Sequence, residues 1–288
     1  TFNRSVLETI ERELERQFFN EGKYAVKLET TTTPLERNRV AIDITIIEGE
    51  TARIKSINIV GNQAFEQDDL LDRFSLSTGG WFSGLTRDNQ YSRQKLAGDL
   101  ETLKSFYLDR GFVQFKVNST QVTITPDKQD IYITINIDEG EIFTLADIQL
   151  AGEYVGEAET YFPLIHLRRD EPFNRKQVVE SSDRISSMLS ELGYAFANVN
   201  AVPEIDEQNH TVKVTYFVDP GKRVYVRRVN ITGNSRTRDE VIRREIRQME
   251  AAWFSSEKVK LSRERALRTG FFERVSVETP AVPGSSDE

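Results

Sequence analysis

The chain has 288 residues, 29% charged and 38% hydrophobic, with a formal net charge of −8. This is the composition of ordered, soluble domains, and it argues against disorder and against general polyanion binding. It holds no cysteine, which excludes disulfides, thiolate nucleophiles and cysteine-bearing zinc sites, and no run approaches the about 18 consecutive apolar residues of a membrane-spanning helix.

Thr1 opens directly into a helical pattern, with Leu7, Ile10, Leu14 and Phe18 on one face. With no signal peptide ahead of it, the chain reads as a piece of a longer one, so the compartment stays open. Gly22-Lys23-Tyr24 and two strands follow, and residues 1–49 form the C-terminal part of a repeat that lacks its opening strand and short helix.

Residues 50–140 form a complete unit. A strand is expected at 53–60, a short helix at 67–74 and a longer helix at 89–108 whose Leu96, Leu100, Leu103 and Tyr107 share a face. Gly111 then supplies a left-handed turn that a residue with a Cβ resists. Two strands close the unit, 112–125 and 131–138, joined by a turn at Pro126-Asp127. In the last, Ile131, Ile133, Ile135 and Ile137 alternate with Tyr132, Thr134 and Asn136, so one side packs on helices and the other meets solvent. Between the two helices lies Gly79-Gly80-Trp81-Phe82-Ser83-Gly84, in which Trp81 and Phe82 read as a plug under the loop more than as a contact patch.

Residues 141–221 repeat the order: a strand at 146–150, a helix with Val178, Ile185, Leu189 and Leu192 on one face, strands at 196–203 and 211–218, and a turn at 206–209. Residues 222–288 are expected to hold a strand at 224–231, helices at 238–249 and 256–268 and a strand to about 279. Their closing strand is missing, which leaves the unit open to a strand from a neighbouring molecule.

Three marks recur through this series. Glu-Gly or Pro-Gly closes a strand at Gly49, Gly140 and Gly221, at intervals of 91 and 81 residues. An apolar strand ends in Gly61, Gly152 and Gly233, and a glycine precedes an aromatic at Gly111-Phe112, Gly193-Tyr194 and Gly270-Phe271. Periods this long describe an array of small α+β domains, each a three-stranded mixed sheet covered by two helices.

This order, with Gly-aromatic after the second helix and Gly61-Asn62 and Gly233-Asn234 after the first strand, resembles polypeptide-transport-associated (POTRA) repeats. Gly152-Glu153 departs from that pattern. The stretches Leu96-Ala97-Gly98-Asp99-Leu100, Tyr107-Leu108-Asp109-Arg110-Gly111 and Arg243-Arg244-Glu245-Ile246-Arg247 resemble the periplasmic repeats of outer-membrane β-barrel assembly factors. The resemblance covers essentially the whole chain and sets a register: the end of the second repeat, all of the third and fourth, and most of the fifth. It implies a scaffold on the periplasmic side of the outer membrane that binds accessory lipoproteins and unfolded outer-membrane proteins. A two-partner secretion or organelle import transporter is the alternative with the same fold.

Two surfaces stand out. The strand at 112–125 carries one charge, Lys116, and its edge could pair with extended peptides through backbone groups alone. The same features describe an ordinary half-buried strand. The resemblance implies that Lys116, Val117, Asn118, Ser119, Thr120, Gln121 and Val122 contact clients or a propeller-fold lipoprotein. Residues 222–248 hold nine basic and three acidic residues, which suits a solvated face, anionic lipid headgroups or an acidic partner. By resemblance, Arg243, Arg247 and Glu250, expected on one helix face, dock a helical-repeat lipoprotein.

No reactive set recurs. His166 and His210 are far apart and in no metal-ligand spacing, no cofactor motif is present, and the acidic turns lack the calcium-loop pattern. Arg110-Gly111-Phe112-Val113-Gln114-Phe115 is a poor match to an RNA-binding aromatic strand, and the acidic pI of about 5.2 also argues against nucleic acid. The expectation is a binding scaffold with no cofactor and no catalysis.

Overall fold

The structure, a computed structural model, describes residues 4–20, 22–36, 39–78 and 90–280. The Trp81-Phe82 segment lies outside the described residues, as does 281–288. The chain separates into two compact units, residues 1–141 and 142–288.

The first unit opens with α1 (Arg4–Asn20) and an antiparallel hairpin of β1 (Lys27–Leu35) and β2 (Arg39–Ile47). Of the expected apolar helix face only Leu7 is buried, while Ile10 stands exposed, as do Val40, Ile42 and Ile46 on β2. One helix on a two-stranded ribbon offers too little opposing surface to bury both faces. A complete mixed sheet follows: β3 (Arg53–Val60), α2 (Gln67–Leu71), α3 (Arg93–Leu108), β4 (Lys116–Ile124) and β5 (Asp130–Asp138). The sheet order is β3-β5-β4, with β3 parallel and β4 antiparallel to β5. The parallel pair needs a long crossover, which α2 and α3 supply, whereas β4 and β5 are joined by a tight turn. Ile131, Ile133 and Ile135 are wholly buried under Leu96, Leu103 and Tyr107 of α3, and Tyr132 faces outward. Each such isoleucine contributes about 2 kcal/mol of burial.

The second unit builds β6 (Thr144–Gly152), α4 (Arg175–Glu191), β7 (Asn198–Asp206) and β8 (Thr211–Asp219), in the order β6-β8-β7. Val212, Val214 and Tyr216 fill its core. Val178, Ile185 and Leu189 are buried as expected, but Leu192 is exposed, because α4 ends at Glu191 and Leu192 is its C-cap.

The last repeat departs furthest from expectation. The short helix α5 covers only Asp239–Arg243, while α6 spans Ser256–Arg268. Residues 224–231 and 270–279 form no strand. In the complete sheets the opening strand bonds only to the closing strand, and among the described residues here none takes that place. Residues 224–226 pair instead with the loop before α6, through a Tyr225–Trp253 bridge and reciprocal Val226–Ala252 and Ala251–Val226 hydrogen bonds.

One device recurs that sequence reading missed. Ser92, Asn174 and Ser255 cap α3, α4 and α6 by accepting the N–H groups of Lys95, Gln177 and Lys258, each cap being worth about 1 kcal/mol. Seven residues beyond each cap lies a buried polar side chain: Asp99, Ser181 and Ser262. Asp99 accepts Ser75 and Leu76 N–H groups, Ser181 accepts His166 N–H, and Ser262 accepts Arg247 and Gln248 N–H. Each of these three helices thus ties down the segment ahead of it.

Candidate interaction surfaces

Strand β4 is an edge of its sheet, bonded on one side only, to β5. Its other side carries a row of backbone groups free to pair with an added strand. The register shifts between Val117 and Ser119, so Asn118 is an extra residue that bends the start of the edge. Lys116, the one charge, lies 3.1 Å from Asp138. The Lys116 hydrogen bond is the main cause holding the Asp138 carboxyl below its ordinary range. Thr120 is half-buried; Gln121 and Val122 are exposed.

Beside this edge runs a groove of about 620 Å³, bounded by Thr120, Val122 and Ile124 of β4 and by Leu96, Ala97 and Leu100 of α3. Phe19 and Tyr24 of the preceding repeat and Tyr91 close one end, with Arg16 and Arg93 beside them. Phe19 stacks on Tyr24 with centroids 5.5 Å apart, and Tyr24 lies 6.3 Å from Tyr91. Burial is the largest influence on the Tyr24 phenol, which is pushed up to about 12.

The equivalent edge in the second unit, β7, differs. It carries Pro203, which cannot donate to a ladder, with Glu204 and Asp206 after it, and its register is regular. Proline and charge are the ordinary devices that blunt an exposed edge.

In the last repeat the three expected docking residues do not share a helix face, because α5 ends at Arg243 and Arg247 and Glu250 lie in the loop beyond it. Arg243 and Glu250 instead meet at 3.3 Å and hold one residue between them: Arg243 donates to the Val229 carbonyl at 3.0 Å, and Glu250 accepts the Val229 N–H at 2.9 Å. The Val229 N–H is the main cause holding the Glu250 carboxyl low, and the bond to Asp239 is the main cause raising Arg243. The Arg247 guanidinium donates to the nearby Arg244 and Ile246 carbonyls. Glu250→Lys is therefore expected to shift the Val229 amide resonance and speed its exchange, whereas Arg247→Glu leaves both unchanged. Loss of a docking partner with Arg247→Glu then reports direct contact.

Two glycines at the ends of long-helix segments, Gly22 and Gly193, also serve as joints. The Gly22 carbonyl accepts the Ala52 N–H, and the Gly193 carbonyl accepts the Val224 N–H, each from the opening segment of the next repeat. At the second joint Arg223 stacks on Trp253 at 4.0 Å and donates to the Leu192 carbonyl, while the Tyr225 ring also stacks on Trp253, with centroids 3.7 Å apart. Trp253 thus packs at a joint between repeats. Arg223 and Arg243 are held internally, which reduces the positive charge free to face a partner.

Among the described residues no group of three or more His, Asp or Glu side chains is placed to hold a metal ion, and no helix is long and apolar enough to cross a membrane. The fold defines a class of protein: tandem mixed-sheet repeats that present strand edges and charged loops. Residues 52–140, 143–221 and 224–288 match the POTRA family, described as a surface antigen variable number repeat, and the chain belongs to that family. It is 33% identical over 289 residues to the outer membrane protein assembly factor BamA of Neisseria meningitidis serogroup B, covering 100% of this chain and 36% of that protein. It is 34% identical over 242 residues to BamA of Buchnera aphidicola, covering 84% and 39% respectively. The crystal structure of Haemophilus influenzae BamA POTRA3-5 aligns with a TM-score of 0.71 at 29% identity, over 82% of this chain and 92% of that one. The chain spans well under half the length of these full-length relatives.

Proposed function

We propose that the chain is the periplasmic scaffold region of an outer-membrane protein assembly factor, a binding device rather than an enzyme. In this reading it carries the end of the second repeat, the third and fourth, and most of the fifth. Unfolded outer-membrane proteins add a strand to β4 through Lys116–Val122, an edge shared with a propeller-fold accessory lipoprotein, while Arg243, Arg247 and Glu250 receive a helical-repeat lipoprotein. Exposed Lys222, Arg236 and Arg238 leave positive charge for anionic headgroups at the membrane face.

The observation that carries the reading is the contrast between two equivalent edges. β4 has a lone paired charge and an apolar groove beside it; β7 has a proline and two acids. Backbone pairing at β4 accepts many sequences, as a general chaperone-like edge must. A photo-crosslinker at Val122 is expected to capture an outer-membrane protein diluted from urea, with little capture from Val202. Equal capture from both positions, or none from Val122, would remove the assignment.

A further inference from the structure

We propose that Arg73 and Arg110, held on the Phe106 ring at the ends of α2 and α3, form a binding site for a phosphate monoester. The site shares no residue with β4, with β7 or with the last repeat, so it stands or falls apart from the edge reading.

The site begins with one fixed ring. Phe106 of α3 is 7% exposed and is met edge-on by Phe65 at 4.9 Å and by Tyr107 at 5.7 Å. Arg110, just past the end of α3, brings its guanidinium carbon to 3.7 Å from the ring centre. Arg73, just past the end of α2, reaches 4.2 Å from the same centre. The ring attracts each cation, yet the two repel one another. Burial, and then the Arg73 charge, hold the Arg110 guanidinium below its ordinary range, and Asp109 offsets this least of the three. One Arg110 donor goes to the Phe106 carbonyl at 3.0 Å, a natural place for a cation at a helix C-terminus. That bond accounts for Arg110 and leaves Arg73 without a reason to share its ring. Both residues are exposed. Among the described residues Arg73 donates no hydrogen bond, and neither arginine forms an ion pair.

A phosphate monoester answers this arrangement. Each guanidinium is a planar fork that matches two oxygens of an oxyanion. A carboxylate has two oxygens and fills one fork. A phosphate monoester has three terminal oxygens and up to about two negative charges at neutral pH, so it engages both forks and cancels their repulsion. Both guanidinium carbons lie near enough to one ring centre for a single such group to touch both. The ring holds them in place before the ligand arrives, which lowers the cost of ordering them. The pair is also private to this repeat. Counting back from the glycine after each long helix, Met188 and Leu192 replace Phe106 and Arg110 in the next repeat, and Arg265 and Thr269 in the last. A packing device common to the fold would recur; a ligand site need not.

The test titrates the isotope-labelled 288-residue chain with inorganic phosphate, beside acetate at equal ionic strength, and follows the arginine Nε–Hε resonances. Phosphate is expected to shift Arg73 and Arg110 together to saturation, about fivefold tighter than acetate. Arg73→Gln removes no hydrogen bond among the described residues. It is expected to weaken phosphate about tenfold at unchanged Tm, whereas Arg236→Gln in the last repeat leaves phosphate binding as it was. Vesicles of phosphatidylcholine, with and without phosphatidic acid, separate the sources of the phosphate. Weakened binding of Arg73→Gln to the phosphatidic acid vesicles places it on a lipid. Vesicle binding insensitive to Arg73, beside saturable free phosphate, places it on a soluble ligand. An equal response to phosphate and acetate, shifts spread evenly over all arginines, or tighter binding of a glutamate decapeptide than of phosphate overturns the site.

Discussion

Replacing Glu139 with alanine is expected to lower the stability of the first unit by about 2 kcal/mol, because it orphans the buried Tyr107 hydroxyl and takes the partner from the half-covered Ala64 N–H. Glu139 is only 8% exposed, and its carboxylate accepts the Tyr107 hydroxyl at 2.7 Å and the Ala64 N–H at 3.1 Å. Burial, and then this bond, push the Tyr107 phenol far above its ordinary range, so it remains a donor throughout the accessible pH range. The next repeat meets the same demand with other residues. Three residues after Gly152, as Ala64 is after Gly61, the Val155 N–H is accepted by the Tyr161 hydroxyl, and Leu189 and Pro220 stand where Tyr107 and Glu139 stood. Both polar partners changed together there, which leaves nothing unsatisfied. Glu139→Ala with Tyr107→Phe should therefore recover part of the loss in urea unfolding, whereas Pro220→Ala costs little.

Gly152→Ala is expected to cost the second unit about 4 kcal/mol, combining backbone strain with a clash that cannot relax. Gly152 has φ +95°, and a Cβ there would lie 2.2 Å from the Val218 carbonyl oxygen. That oxygen is fixed, since it accepts the Glu153 N–H at 2.9 Å and belongs to the parallel ladder of β6 on β8. Two other glycines separate the contributions. Gly156 shares the positive φ but has open space, so alanine there costs only the strain, about 1 kcal/mol. Gly98 sits within α3 in open space, so alanine there stabilises by about 1 kcal/mol. Thermal unfolding of the three variants would rank them in that order.

These cases mark what could be read from the residues alone. The order of strands and helices was legible because its signals are local: the isoleucine alternation from Ile131 to Ile137, the heptad-like face of α3, and glycines where the chain must turn. The edge position of β4 followed from that order and the mixed sheet it builds. What stayed hidden depends on residues distant in sequence. The swap of Glu139 for Tyr161 shows no motif, because one backbone N–H is served from opposite ends of a repeat. The ties from Asp99, Ser181 and Ser262 have a readable spacing from their N-caps, seven residues, that becomes meaningful once the loop lies beneath them. The segment 224–231 has a strand's composition, but a strand needs a ladder partner. Arg243, Arg247 and Glu250 read as one helix face, but α5 stops at Arg243, and the Arg243 and Glu250 side chains turn to Val229. The groove could not be foreseen at all, for its end wall comes from the preceding repeat.

Hydrogen exchange of the 288-residue chain, with and without an unfolded outer-membrane protein, tests the central claim most directly, because an added strand must protect the amides it pairs. The account predicts slowed exchange along Lys116–Ile124 of β4, with Asn198–Asp206 of β7 unchanged. Protection along β7, or confined to the helices while β4 exchanges as before, would contradict it.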